Sequence, residues 1–272
     1  SSDLAESPQY FTRSPEQFGG KIPFIVTDLI EKLRELDGAK AEGIFRLSGP
    51  TSEISDLCSS LDHGRVKLTK YDNVHTIACT LKKYFRDMVQ KDPLVPYEYY
   101  DDIISIPKNS KTPEEAVLKY KEIIHHLSIS RQHTLAYLFR FLKEVMDSPT
   151  SKMNANNISI VFAPNILASK GSDGESAELR LKNNSIQNKT FALMVENTDK
   201  IFDDINITQA SFITDEDLVI LSSPPIDVKD IPQFIEIRAL RRQSLIPFVP
   251  YELLENPNFV RPNRVVHIPK NE

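Results

Sequence analysis

The chain has 272 residues and a net charge of −5, and its 40% hydrophobic and 26% charged composition suits one large soluble domain with room for an extension. The acidic balance argues against nucleic acid as a partner, because that affinity relies on a surplus of Lys and Arg to neutralise phosphates. No run approaches the roughly 18 consecutive apolar residues of a membrane span, so no integral membrane segment is expected.

Residues 1–20 are polar, carry Pro8 and Pro15 and end at Gly19-Gly20, and 1–17 read as a loosely ordered lead-in to the domain. From 18 to 205 the dominant period is helical. Ile22, Ile25, Val26, Leu29, Ile30, Leu33 and Leu36 mark a first helix closing at Asp37-Gly38. Ile54, Leu57, Cys58 and Leu61 mark a second, ending near Gly64, and Val74, Ile77, Ala78, Leu81, Phe85 and Met88 give the cleanest stripe.

Thr112-Pro113-Glu114-Glu115 combines an N-cap, a proline at the first helical position and a capping-box Glu. Val117, Tyr120, Ile124 and Leu127 follow as an inner face, then Leu135, Leu138, Phe139, Leu142 and Val145 in another helix that stops before Ser148-Pro149. Asn154 caps a short helix through Ile158, Val161 and Phe162, which Pro164 is expected to end by removing an amide donor. Residues 168–185, with Lys170-Gly171-Ser172-Asp173-Gly174, have no period and read as a mobile loop. A last helix runs from about Ser185 to Phe202. Alternating strands are missing, so the fold expected is an all-α bundle with irregular connections.

The composition changes at 206. Eight of the 18 prolines follow residue 220 and no glycine follows 174, so 206–272 reads as a separate Pro-rich extension. Phe234, Ile235, Ile237, Leu240, Leu245, Ile246, Phe248 and Val249 could dock it on the bundle or on a partner, and Arg238, Arg241 and Arg242 with Ser244 form a basic cluster or a solvated face. The start, Ser1-Ser2-Asp3-Leu4-Ala5-Glu6, has neither a basic n-region nor an apolar h-region and no initiator Met, so a secretory signal is not expected and the chain reads as a piece of something longer. The two cysteines, Cys58 and Cys79, fall on apolar stripes and read as buried free thiols, in keeping with a reducing, cytoplasmic setting.

Several catalytic arrangements are absent. His63, His75, His125, His126, His133 and His267 lack metal-ligand spacing, and His125 and His126 point about 100° apart on a helix. There is no phosphate-binding P-loop, G-x-S-x-G elbow or dinucleotide glycine pattern, so no nucleotide or other cofactor of its own is expected.

What remains is a set of cations and one amide. Glu42-Gly43-Ile44-Phe45-Arg46-Leu47-Ser48-Gly49 places Arg46 between two glycines, with Ile44 and Phe45 able to anchor the segment while the guanidinium projects outward. Lys82 and Arg86, four apart, share a helix flank with Cys79, as a solvated basic face or as a site. Asn165, after Pro164, is either a turn residue or a functional amide.

Three of these stretches, in order, carry a family resemblance. Gly43-Ile44-Phe45-Arg46-Leu47-Ser48-Gly49 resembles the G-I-F-R-x-S-G arginine-finger segment of RhoGAP domains. Leu81-Lys82-Lys83-Tyr84-Phe85-Arg86-Asp87 resembles their L-K-x-[FY]-[LF]-R-[DE] helix, and Lys152 to Leu167 resembles their K-M-x-x-x-N-L-[AS]-x-V-F-x-P-N-[IL]-L block. The chain departs from the family after Arg86, where Met88-Val89-Gln90-Lys91-Asp92-Pro93-Leu94 replaces L-P-x-P-L with a longer stretch.

The resemblance covers residues 18–205 and implies a helical bundle that accelerates GTP hydrolysis by a Rho-family small GTPase in its GTP-bound state. It implies that Arg46 is a catalytic finger acting in trans, that Lys82 and Arg86 support the finger loop and the GTPase contact, and that Asn165 bonds around the partner's catalytic centre. GTP and Mg²⁺ would be held by the partner, so the chain is not expected to be an enzyme by itself. Such a protein would be cytoplasmic and recruited to membrane-bound GTPases. The alternative is a non-catalytic scaffold or effector that binds the active GTPase.

Overall fold

The computed structural model describes residues 9–170 and 176–222. Among the described residues there are ten α-helices, five short 3-10 turns and no strand, so the expected all-α architecture is the one that forms. Helices α1 (Phe24–Glu35), α2 (Thr51–His63) and α3 (Val74–Val89) follow the apolar stripes. Asn73 caps α3 by accepting from the His75 amide at 3.0 Å, and Ile77, Leu81, Tyr84, Phe85 and Met88 face the core. The helix lies between α1 and α7 (Ala155–Ile166), and α7 packs along α8 (Ala177–Glu196).

Helix α4 (Tyr100–Asn109) has no counterpart in the sequence reading. Its stripe is short, and Pro107 inside it looks like a breaker. The proline deprives the Ile103 carbonyl of its usual amide donor. The Thr190 hydroxyl of α8 donates to that carbonyl at 3.4 Å instead, so a neighbouring helix completes the bonding. In α5 (Pro113–His126), Thr112 accepts from the Glu115 amide as expected, but the Glu115 carboxylate takes the Lys111 amide and not that of Thr112. Helix α6 (Ile129–Asp147) is capped by Ser128.

Three expectations are corrected. Pro164 does not end α7, which continues to Ile166 and closes with the Leu167 amide on the Ala163 carbonyl at 2.8 Å. Loss of one bond near a C-terminus leaves the bonds that span the proline intact. Helix α8 begins at Ala177 under a Ser176 cap, well ahead of Ser185; Leu179 and Leu181 are exposed there, so no buried stripe announces the turns. Residues 171–175 of the expected loop lie outside the described residues.

The lead-in is the third correction. Tyr10, Phe11 and Phe18 are buried, and Tyr10 meets Phe24 edge-on at 5.1 Å. Arg131, 5% exposed, ties this segment down. It donates to Glu16 from Nε at 2.6 Å and Nη2 at 3.1 Å, to Asp92 at 2.7 Å and to the Pro93 carbonyl at 2.7 Å. One guanidinium therefore joins the lead-in, α6 and the stretch that departs from the family pattern. Aromatic residues without a helical or alternating period gave no sign of this.

Past residue 205 the described chain turns back to meet Arg13, Lys21, Ile22 and Arg65. The Ile22 amide donates to the Ser211 carbonyl at 3.0 Å, and Lys21 pairs with Asp217 of α10 (Asp215–Leu221) at 2.7 Å. Arg65 donates to the Ile213 carbonyl, Arg13 to that of Leu221, and both apolar side chains are buried. The short α9 (Thr198–Ile201) precedes this return. Residues 223–272, with the apolar and arginine clusters noted above, lie outside the described residues.

Candidate functional site around Arg46

The segment carrying Arg46 is a series of hydrogen-bonded turns between α1 and α2. The Gly43 amide donates to the Ser151 carbonyl at 2.8 Å, fixing the entry to the α6–α7 corner. The amides of Arg46 and Leu47 both reach the Gly43 carbonyl, at 2.9 and 2.8 Å. Gly43 has φ +67°, and a Cβ there would fall 2.8 Å from Leu47 Cγ. Gly49 leaves the segment so close to α3 that a Cβ would sit 2.5 Å from Thr76 Oγ1. Both glycines are required sterically.

Phe45 is the pivot. Its φ of +68° lies in the left-handed region, which costs a residue with a Cβ about 1–2 kcal/mol. The ring is fully buried, edge-on to Phe162 of α7 at 4.7 Å and to Phe141 of α6 at 6.1 Å. Its carbonyl accepts from Lys82 Nζ at 2.7 Å. Ring burial and a charge-assisted bond offset the backbone cost. With Phe45 turned inward, Arg46 is exposed, and among the described residues its guanidinium has no hydrogen-bond or ion-pair partner.

The structure brings Lys82 to this pivot from α3, while from α7 it is Phe162 that reaches Phe45. Lys82 is half-buried on α3; burial pulls its pKa down, and the neighbouring Arg86 charge adds to that against an opposing effect of Cys79. Arg86 lies one turn further along α3 and is exposed. Asn165, three residues beyond Phe162, is nearly buried and donates from Nδ2 to the Val161 carbonyl at 3.0 Å, so it is a helical residue and not a turn residue. Cys58 is buried as expected, and burial pushes its thiol up. Cys79 is not: it is partly exposed and its thiol lies 3.6 Å from the Leu47 carbonyl, against the arginine segment. The apolar stripe of α3 turns past it by one position.

Sequence reasoning passed over the corner that holds the segment from behind. Thr150 Oγ1 donates to the Lys40 carbonyl at 2.7 Å, and Lys152 Nζ pairs with Glu42 at 2.7 Å. Glu42 and Lys152 stand at the edges of two of the quoted motifs, and their opposite charges were the available signal. Lys152, hydrogen-bonded to Glu42, holds that carboxyl below its usual range, and the Arg46 charge adds to the effect.

The family model for the RhoGAP domain matches residues 23–171. The chain is 38% identical over 153 residues to Rho GTPase-activating protein gacY of Dictyostelium discoideum, covering 56% of this chain and 21% of that protein. It is 30% identical over 194 residues to Rho GTPase-activating protein 24 of Mus musculus, covering 70% of this chain and 25% of that protein. It therefore spans about a fifth to a quarter of the length of these relatives.

Two solved structures share the fold at 23% identity. Human Rho GTPase activating protein 15 gives a TM-score of 0.60 over 66% of this chain and 84% of that one. The BH domain from GRAF, the GTPase regulator associated with focal adhesion kinase, gives 0.58 over 69% and 96%. The chain belongs to the RhoGAP domain family. Among its described residues no helix is long and apolar enough to cross a membrane.

Proposed function

We propose that this chain is a GTPase-activating module that speeds GTP hydrolysis by a Rho-family small GTPase, with Arg46 entering the partner's site in trans. The partner, in its GTP-bound state, holds the nucleotide and Mg²⁺ and supplies the attacking water. Charge grows on the transferring phosphoryl oxygens as the bond to the leaving group loosens. A guanidinium placed there neutralises it, an effect worth about 10³–10⁵ in rate for arginine fingers. Lys82 would keep the Phe45 carbonyl, and hence Arg46, in one place. Arg86 and Asn165 would meet the partner's surface beside it. The setting we propose is the cytoplasm, at membranes that carry the GTPase.

The observation that carries this reading is an exposed, unpaired guanidinium on a backbone held from two helices. An arginine on a loose loop would spend partner-binding energy on ordering its backbone, whereas here that backbone is already held. Single-turnover hydrolysis with GTP-loaded Rho-family GTPases tests it. Arg46→Ala should remove most of the stimulation while leaving binding intact, and Arg46→Lys should recover little, because it keeps the charge but loses the planar fork of donors. Undiminished acceleration by Arg46→Ala rejects the finger. Binding by the unaltered chain without any acceleration would mark it as a non-catalytic module.

A further inference from the structure

The carboxylate best placed to disable Arg46 is on its own segment. Glu42 precedes Arg46 by four residues across hydrogen-bonded turns, and the Arg46 charge already bears on its carboxyl. One Arg46 Nη lies 3.5 Å from the point where a Gly43 Cβ would sit, so the guanidinium already folds over the residue adjoining Glu42. Arg46 nevertheless has no ion-pair partner among the described residues, while Glu42 Oε1 is engaged by Lys152 at 2.7 Å. Lys152 is held for this role: its φ is +55°, its carbonyl accepts from Asn157 Nδ2 at 3.3 Å, and the adjoining Ser151 carbonyl receives the Gly43 amide.

We propose that Lys152 is a positioning residue that occupies Glu42 and thereby keeps the Arg46 guanidinium available to the partner GTPase. The inference rests on Arg46 acting as the finger. Lys152 has no contact with the transferred phosphate in this scheme; it removes a competitor. Both members of the pair are exposed, with side-chain accessibilities of 63% and 59%. An exposed pair adds little to stability, so loss of Lys152 should alter the finger without unfolding the domain.

The competition predicts a specific epistasis. In single-turnover hydrolysis with a GTP-loaded Rho-family GTPase that the unaltered chain stimulates, Lys152→Met should lower the plateau rate about two- to fivefold, the range an exposed ion pair supports. Its thermal midpoint and half-saturating concentration should not move. Adding Glu42→Gln should raise the plateau again, because the carboxylate that captures Arg46 is gone, and Lys152→Arg should stay close to the unaltered chain. If the bridge were only a latch, the double variant would be as slow as Lys152→Met. That result, or a Lys152→Met plateau equal to the unaltered one, overturns the proposal. Arg46→Ala run alongside separates the two readings: if it keeps full stimulation, both fall, and if it loses stimulation while Lys152→Met does not, the positioning role alone falls.

Discussion

The Phe45 ring meets the Phe162 ring edge-on at 4.7 Å, and this contact ties the direction of Arg46 to α7. Both rings are fully buried, so the pair belongs to the core as much as to the site. Phe162→Ala should cost about 3–5 kcal/mol by urea denaturation. Phe162→Leu should retain most of the stability yet weaken the stimulation of GTP hydrolysis, because the edge-on support of Phe45 is lost. A Phe162→Leu domain with full stimulation would show that α7 does not set the direction of Arg46.

Lys82 links the same pivot to α3 through the Phe45 carbonyl. Lys82→Met should reduce stimulation by about ten- to a hundredfold, since a hydrogen bond to a charged group is worth about 1.5–3 kcal/mol. Burial, and after it the Arg86 charge against the opposing effect of Cys79, leaves the Lys82 pKa below that of an ordinary lysine. The ammonium is present below that lowered pKa and lost above it. A stimulation profile against pH should therefore fall on the alkaline side, and Lys82→Arg should move the fall to higher pH.

The Glu16–Arg131 pair governs stability in acid. Burial draws the Glu16 pKa up, but the bonds and charge of Arg131 outweigh it and the net shift is downward. A depressed carboxyl contributes stability that is complete above its unfolded pKa and lost as pH falls through its folded one. Glu16→Gln should cost about 3 kcal/mol near neutral pH. The gap from the unaltered chain should close as the pH drops below about 4. A gap independent of pH would show that the carboxylate charge contributes nothing.

Residues 206–222 bury the side chains of Ile213 and Leu221. Each apolar side chain is worth about 1.5–3 kcal/mol. Ending the chain after Ile205 should lower the melting temperature by roughly 10 °C relative to one ending after Ser222. Equal melting temperatures for the two would refute a stabilising role for the return segment.

The bundle was legible because long stripes such as Ile77, Leu81, Phe85 and Met88 repeat at helical spacing. The turn that carries Arg46 was marked by Gly43 and Gly49, which its close approaches require, whereas the reading of Arg46 as a finger rested on the order of three motifs along the chain. Helix α4 was hidden because Pro107 signals an end while the compensating Thr190 hydroxyl lies 83 residues away in sequence. The lead-in was hidden because its anchor, Arg131, reads as an ordinary helical arginine until Glu16 and Asp92 are brought to it. The lock on Glu42 likewise depends on Lys152, a contact that no local pattern contains.

The left-handed backbone at Phe45 bears on attempts to copy the segment. A peptide of residues 42–49 has the same side chains but lacks the Ser151 carbonyl, the Lys82 ammonium and the Phe162 ring. In water its Phe45 would leave the left-handed region, which costs about 1–2 kcal/mol, in all but roughly a tenth of molecules. Such a peptide should be a poor mimic of the domain, and one cross-linked to hold Phe45 in that conformation a better one.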